Sequence, residues 1–261
     1  MTFKRNMSYP LVIFCSWFGA SLHWLSGKSF IPWDSVDEFF PQVAFIVSTL
    51  LRGESPTWNP LIFGGLPVLG DPQGMIFTPH VLAGLVSGPA FGLWIFDITT
   101  LACMLAGALC LYSYARSHGS GSAYAALGAI VFLLGGYGTS RLQHVPQIIS
   151  YALLPILLLT FGNFLRKPNV LNVLALSSTG ALLALNPNHV VFLTLFLLGP
   201  LLFLELLRNP RHLAHWSGLA VSVLLVVLFA APSLSAILET VAHSTRTVIN
   251  LQTNASASLP G

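Results

Sequence analysis

Charge is what this chain has least of. Only 7% of its 261 residues are Asp, Glu, Lys or Arg, against 54% hydrophobic residues. A water-soluble protein built this way would lack the polar side chains to cover its surface, so a bilayer is the expected solvent. The formal charge of +3 is small and spread over several loops, unlike the basic footprint of a nucleic-acid binder. Cysteine is scarce as well. Cys15, Cys103 and Cys110 all fall in apolar runs, without the paired spacing of a disulfide framework or a thiolate metal site. G-x-x-x-x-G-K-[ST], G-x-G-x-x-G ahead of a helix, and H-E-x-x-H are all missing, which removes support for nucleotide-driven transport and zinc proteolysis. There is no internal repeat, no low-complexity tract and no alternation of the barrel type.

What is present is a series of apolar runs. The first covers 9–25, behind Lys4 and Arg5, and reads as a span anchored by Trp24 and Lys28 rather than a cleaved leader. Further spans are expected at 91–114, 123–137 and 148–165, the last carrying Pro155 as a kink. The run 170–207 is too long for one crossing, and Asn186-Pro187-Asn188-His189 divides it into two spans with a tight turn. A seventh span is expected at 212–231, ending at Pro232, with a polar tail over 233–261 that leaves the membrane. The fold class is therefore all-α, a polytopic helical membrane protein of about seven transmembrane helices forming a single membrane domain.

The segment 28–80 stands apart. Five of the eight acids lie within it: Asp34, Asp37, Glu38, Glu54 and Asp71. Inside it, 41–51 has apolar residues at helical spacing, yet eleven residues rise only about 16 Å. A short interfacial amphipathic helix is expected there, with Pro41 in its first turn and acids ahead of its amino end. A cytoplasmic amino terminus puts seven basic residues inside (Lys4, Arg5, Arg116, Arg166, Lys167, Arg208, Arg211) and four outside (Lys28, Arg52, Arg141, Arg246). The same orientation puts the acidic loop, His144 and the Asn-Pro-Asn turn on one outer side.

Asp34, Asp37 and Glu38 have two readings. They are a general base with neighbouring carboxylates that hold Mg²⁺ or Mn²⁺ on a phosphate, or an acidic helix start that favours the dipole. His144 is a phosphate or sugar contact or a satisfied interfacial residue. Asn186, Asn188 and His189 suit a hydroxyl-rich ligand, or simply make a turn. Asp97 is hydrogen-bonded to a neighbouring helix or lines a cavity. Trp33, Trp58 and Trp94 read most simply as interfacial aromatics. The glycines and prolines of 53–79 fix a folded loop, and positive φ is expected at Gly64 or Gly65.

Three runs in this loop carry a likeness. They are D-x-x-x-x-x-x-P (Asp34 to Pro41), G-E-x-P-x-W-N-P-x-x-F-G-G-x-P over 53–67, and P-Q-x-x-x-F-x-P over 72–79. Together they resemble the YfhO-like bacterial membrane proteins, which look like GT-C-fold glycosyltransferases. The resemblance implies a GT-C-like enzyme of the bacterial inner membrane, taking sugar from a polyprenyl-phosphate donor on the outer face. It makes Asp34 the catalytic base or metal partner, with Asp37 as the second metal candidate. Asp37, Glu38, Trp58, Asn59, Gln73, His144, Asn188 and His189 are the candidate substrate contacts, and the resemblance gives Asp71 no role. The expected partners are the lipid-linked donor and membrane lipids, with no nucleic acid. Relatives carry more spans, so the chain is expected to be an amino-terminal fragment. The alternative is a transporter or flippase without chemistry, or an inactive relative.

Overall fold

The computed structural model describes residues 8–62, 64–208 and 213–243. Helices dominate, as the apolar runs require. In order they are α1 (Ser8–Leu25), a π-helix (Ser35–Phe39) leading directly into α2 (Phe40–Leu51), α3 (Pro79–Ser87), α4 (Leu93–Ser117), α5 (Ser122–Leu134), α6 (Gly136–Ser140), α7 (Val145–Arg166), α8 (Val170–Ala184), α9 (His189–Arg208) and α10 (Leu213–Ala242). Each expected span has its helix. Among the described residues, four stretches are both long and apolar enough to cross a bilayer: Leu93–Ser117, Ser122–Ser140, Val145–Arg166 and His215–Ala242. The 25 residues of α4 rise about 37 Å, enough for the hydrocarbon core. Val223, Leu224, Val227, Leu228 and Phe229 are exposed along α10, a face that suits lipid rather than water. This is an all-α membrane protein.

α4 and α7 form the centre of the bundle. They approach closely because Gly107 faces Ala152: a β-carbon there would lie 2.8 Å from the Ala152 carbonyl oxygen. Around this pair, α1 and α5 pack against α4, α8 and α9 pack against α7, and α10 packs against α8. One buried apolar cluster joins Ile13, Leu101, Ala108, Ala129 and Ile148. A second joins Phe39, Val43, Ile46, Val145, Phe164 and Leu176. The loop segment thus contributes to the core itself.

Three expectations change. The helix over 41–51 forms, but Val43, Ile46 and Val47 are buried in the second cluster, and the polar Gln42 and Thr49 are buried too. It is a packed element of the fold, because α3, absent from the sequence reading, covers it: a β-carbon on Gly84 would meet Val47 at 2.4 Å. The third run is cut by Gly135, whose extended ψ of 163° separates α5 from α6. The last helix does not stop at Pro232 but continues to Ala242. Proline is tolerated within long apolar helices when neighbours satisfy the freed backbone. Here the adjacent Ser233 hydroxyl bonds the Leu69 carbonyl at 3.3 Å, tying the helix to the loop.

Candidate functional site

The motif loop folds locally for steric reasons. Trp58–Asn59 pairs antiparallel with Leu66–Pro67, making a minimal hairpin. Asn59 is buried, and its side-chain oxygen accepts from the Leu61 amide at 2.9 Å, which sets the turn before Pro60 is passed. Both glycines at the tip are left-handed, with φ of 77° at Gly64 and 128° at Gly65, as the turn residues implied. The Trp58 indole lies against Gly65, where a β-carbon would come within 2.2 Å of the ring. Trp58, Asn59 and the glycine pair are therefore one mechanical unit.

The acids upstream behave differently. Trp33 has φ of 64°, a conformation rare for a bulky residue, and it costs about 1 kcal/mol. It turns the chain into the π-helix with Asp34 at the entrance. Asp34 makes no side-chain capping bond there. Instead its Oδ2 meets Nδ1 of His144 at 2.9 Å. His144 in turn stands at the amino end of α7, and its ring caps nothing in that helix. Two residues that open different helices, about 110 positions apart, thus use their side chains on each other. The pair is open to solvent, with 42% of the Asp34 side chain and 24% of the His144 side chain exposed.

Glu38 belongs to the same neighbourhood. Its carboxyl is raised above the usual glutamate value by partial burial first, then by the charges of Asp34 and Asp71, with His144 acting in the opposite sense. In a helix closed by i→i+5 bonds, residues four apart come nearly over one another, which brings Glu38 rather than Asp37 towards Asp34. Asp71, given no role by the sequence, joins as well: its Oδ2 accepts from Gln42 Nε2 at 3.0 Å and its Oδ1 from the Gln73 amide at 2.9 Å. Gln42 is 4% exposed, a polar residue on the buried side of α2 that helical spacing alone did not mark as functional.

The other candidates fall elsewhere. The Asp37 side chain is exposed and makes no hydrogen bond or ion pair among the described residues, while its backbone amide donates to the Trp33 carbonyl at 3.0 Å. Among the described residues no group of three or more His, Cys, Asp or Glu is placed to hold a metal ion. The Gln73 side chain is exposed, and no hydrogen bond among the described residues joins Trp58, Asn59 or Gln73 to the Asp34–His144 pair. Asn188 is taken up structurally. Its Oδ1 accepts from Val190 at the start of α9, and its Nδ2 donates to Ser150 Oγ at 2.8 Å and to the Pro146 carbonyl at 3.2 Å on α7. His189 beside it is exposed. Trp94 Nε1 bonds the Leu25 carbonyl at 3.0 Å and joins α1 to α4, a tie more specific than an interfacial belt.

A second polar centre forms around Asp97, whose partners the sequence did not announce. Asp97 is 1% exposed, and its Oδ2 accepts from the buried amide of Ile31 at 2.9 Å, a residue of the loop after α1 rather than of a neighbouring helix. One turn further along α4, Thr100 gives its hydroxyl proton to the Phe96 carbonyl at 3.2 Å and meets His80 Nε2 at 2.8 Å. His80 is wholly buried, and burial pushes it down to about 3, so it is neutral at physiological pH. A single histidine at the start of a nine-residue helix gives no sequence signal of burial.

No family model matches the chain, no curated protein matches its sequence, and no solved structure matches its fold.

Proposed function

We propose that the protein is a GT-C-like membrane glycosyltransferase that moves a sugar from a polyprenyl-phosphate donor to a hydroxyl acceptor at the outer face of the bacterial inner membrane. The observation that carries this reading is the Asp34–His144 pair. Either residue could have capped its own helix, and both are turned to each other at a solvent-accessible end of the bundle. The likeness of the 53–79 loop to the YfhO-like proteins supplies the substrate class. Orientation follows the charges: Arg116 and Arg166 close α4 and α7 at the ends opposite the pair, and the positive-inside rule places those ends in the cytoplasm. The seven helices at the expected positions are then seven spans.

The chemistry is a single displacement. The acceptor hydroxyl gives its proton to the pair as its oxygen bonds to the anomeric carbon, while the bond from that carbon to the phosphate oxygen breaks and the lipid phosphate leaves as an anion. The leaving phosphate needs no proton at neutral pH, so one base suffices. Asp71 and Glu38 give the neighbourhood an acidic rim. That suits a neutral, hydroxyl-rich acceptor entering from water more than a second anion.

The test is transfer of radiolabelled sugar from polyprenyl-phosphate hexose in proteoliposomes of the purified chain. Label reaching the acceptor with wild-type protein, and lost with Asp34→Asn, supports the reading. Absence of transfer across the common polyprenyl-phosphate hexoses would sink it. Repeating the assay with a chelator, and then with Mg²⁺ or Mn²⁺ restored, tests the cation expected from the sequence.

A further inference from the structure

We propose that His144 is the group that takes the acceptor's proton, and that Asp34 is a positioning residue that holds its tautomer. The inference rests on the transferase reading and divides the labour within the pair. An ionised carboxylate can only accept hydrogen bonds, so the 2.9 Å contact between Asp34 Oδ2 and His144 Nδ1 requires the hydrogen on Nδ1. A neutral imidazole carries one N–H, which leaves the lone pair on Nε2. That nitrogen makes no hydrogen bond among the described residues and belongs to a side chain that is 24% exposed. His80 offers the contrast: its Nε2 is committed to Thr100, and the residue is closed to solvent.

Access points the same way: Nε2 of His144 is unengaged among the described residues, whereas the Asp34 oxygen facing the ring is already taken up by Nδ1. With the proton on Nε2 the ring becomes an imidazolium, and Asp34 faces it as the counter-charge without itself being protonated. The logic is that of a base oriented by a carboxylate. Glu38 also feels the charge of the ring. The imidazolium then returns its proton to water once the product leaves.

The test uses the full chain in lipid nanodiscs with ¹⁵N-labelled histidine, the His144 signals being those lost in His144→Gln. The expected wild-type pattern in the neutral form is a protonated Nδ1 and a bare Nε2, changing to a mixture of tautomers in Asp34→Ala. Sugar transfer is measured on the same preparations. It should fall by about 10² or more in His144→Gln, with thermal stability retained. A proton on Nε2 in the wild type, or wild-type turnover in His144→Gln, would overturn the assignment. If the wild-type protein transfers no sugar at all, the transferase reading and the base both fall, whereas a protonated Nδ1 would still stand as a property of the pair.

Discussion

Two regions of this molecule each place an aspartate and a histidine, one within reach of water and one away from it. Asp34 and His144 meet at the open end of the bundle with a substantial part of each side chain exposed. Asp97 and His80 lie along one face of α4, at 1% and 0% exposure, and each holds a neighbour: the Ile31 amide and the Thr100 hydroxyl. The residue types are the same, and access to solvent separates their uses. A sealed histidine that stays neutral cannot exchange protons during turnover, but it can fix α3 to α4. An open one facing a carboxylate can do chemistry, and contributes little to holding the fold.

Four measurements would break or sharpen that contrast. The largest effect is expected at the open centre: Asp34→Asn should lower sugar transfer by a factor on the order of 10² while moving Tm by no more than about 2 °C. A large loss of stability would make Asp34 structural and erase the distinction. Next, Asp97→Ala leaves the buried Ile31 N–H without its acceptor, at about 1–3 kcal/mol. Tm in detergent should drop by roughly 2–10 °C. Unchanged Tm with abolished transfer would instead move Asp97 into the chemistry.

The third measurement is a pH titration of stability. His80 is near 3 when folded and near 6.5 when exposed, so between these values the unfolded chain binds the extra proton. Its contribution is complete above 6.5 and is lost as pH falls towards 3, with a slope of up to about 1.4 kcal/mol per pH unit. His80→Gln should flatten that slope, and an unaltered acid limb would show that burial of His80 is not its cause. The smallest effect is expected for Glu38→Gln. Its folded carboxyl is raised from 4.5, so ionising it weighs against the fold as pH rises through and above that value. The substitution should raise Tm slightly at pH 8 and leave it unchanged at pH 4. A gain only at low pH would reverse the sign and contradict the crowding of Glu38 by Asp34 and Asp71.

The helices were legible because apolar runs and their breaks are local. The turn at Asn186–Asn188 and the positive φ of Gly64 and Gly65 were legible for the same reason. What was not legible depends on partners distant in sequence. α2 looked interfacial because nothing in 41–51 announces α3 lying over Val47. Pro232 looked like a stop because the loop around Leu69 that meets the next residue lies 164 positions away. Asp34 and His144 each stood out alone, but no spacing rule joins the entrance of a π-helix to the start of α7. Asp71 and His80 entered only when packing brought Gln42 and Thr100 to them.

The loop's main ties have a consequence for assembly. A helical membrane protein is inserted segment by segment, and loop-closure entropy must be met before distant contacts return it. The 28–80 segment emerges early and meets α3 and α4 soon after, but two of its ties are synthesised late: His144 with α7, and Ser233 with α10. Until then α3 and α4 hold α2 and Ile31, but the turn at Trp33 and the stretch around Leu69 lack those later partners. The segment should therefore be the last to become resistant to protease as the chain lengthens. Ribosome-bound intermediates stopped before α7 should be cleaved around 53–67, and those stopped after α10 should be protected.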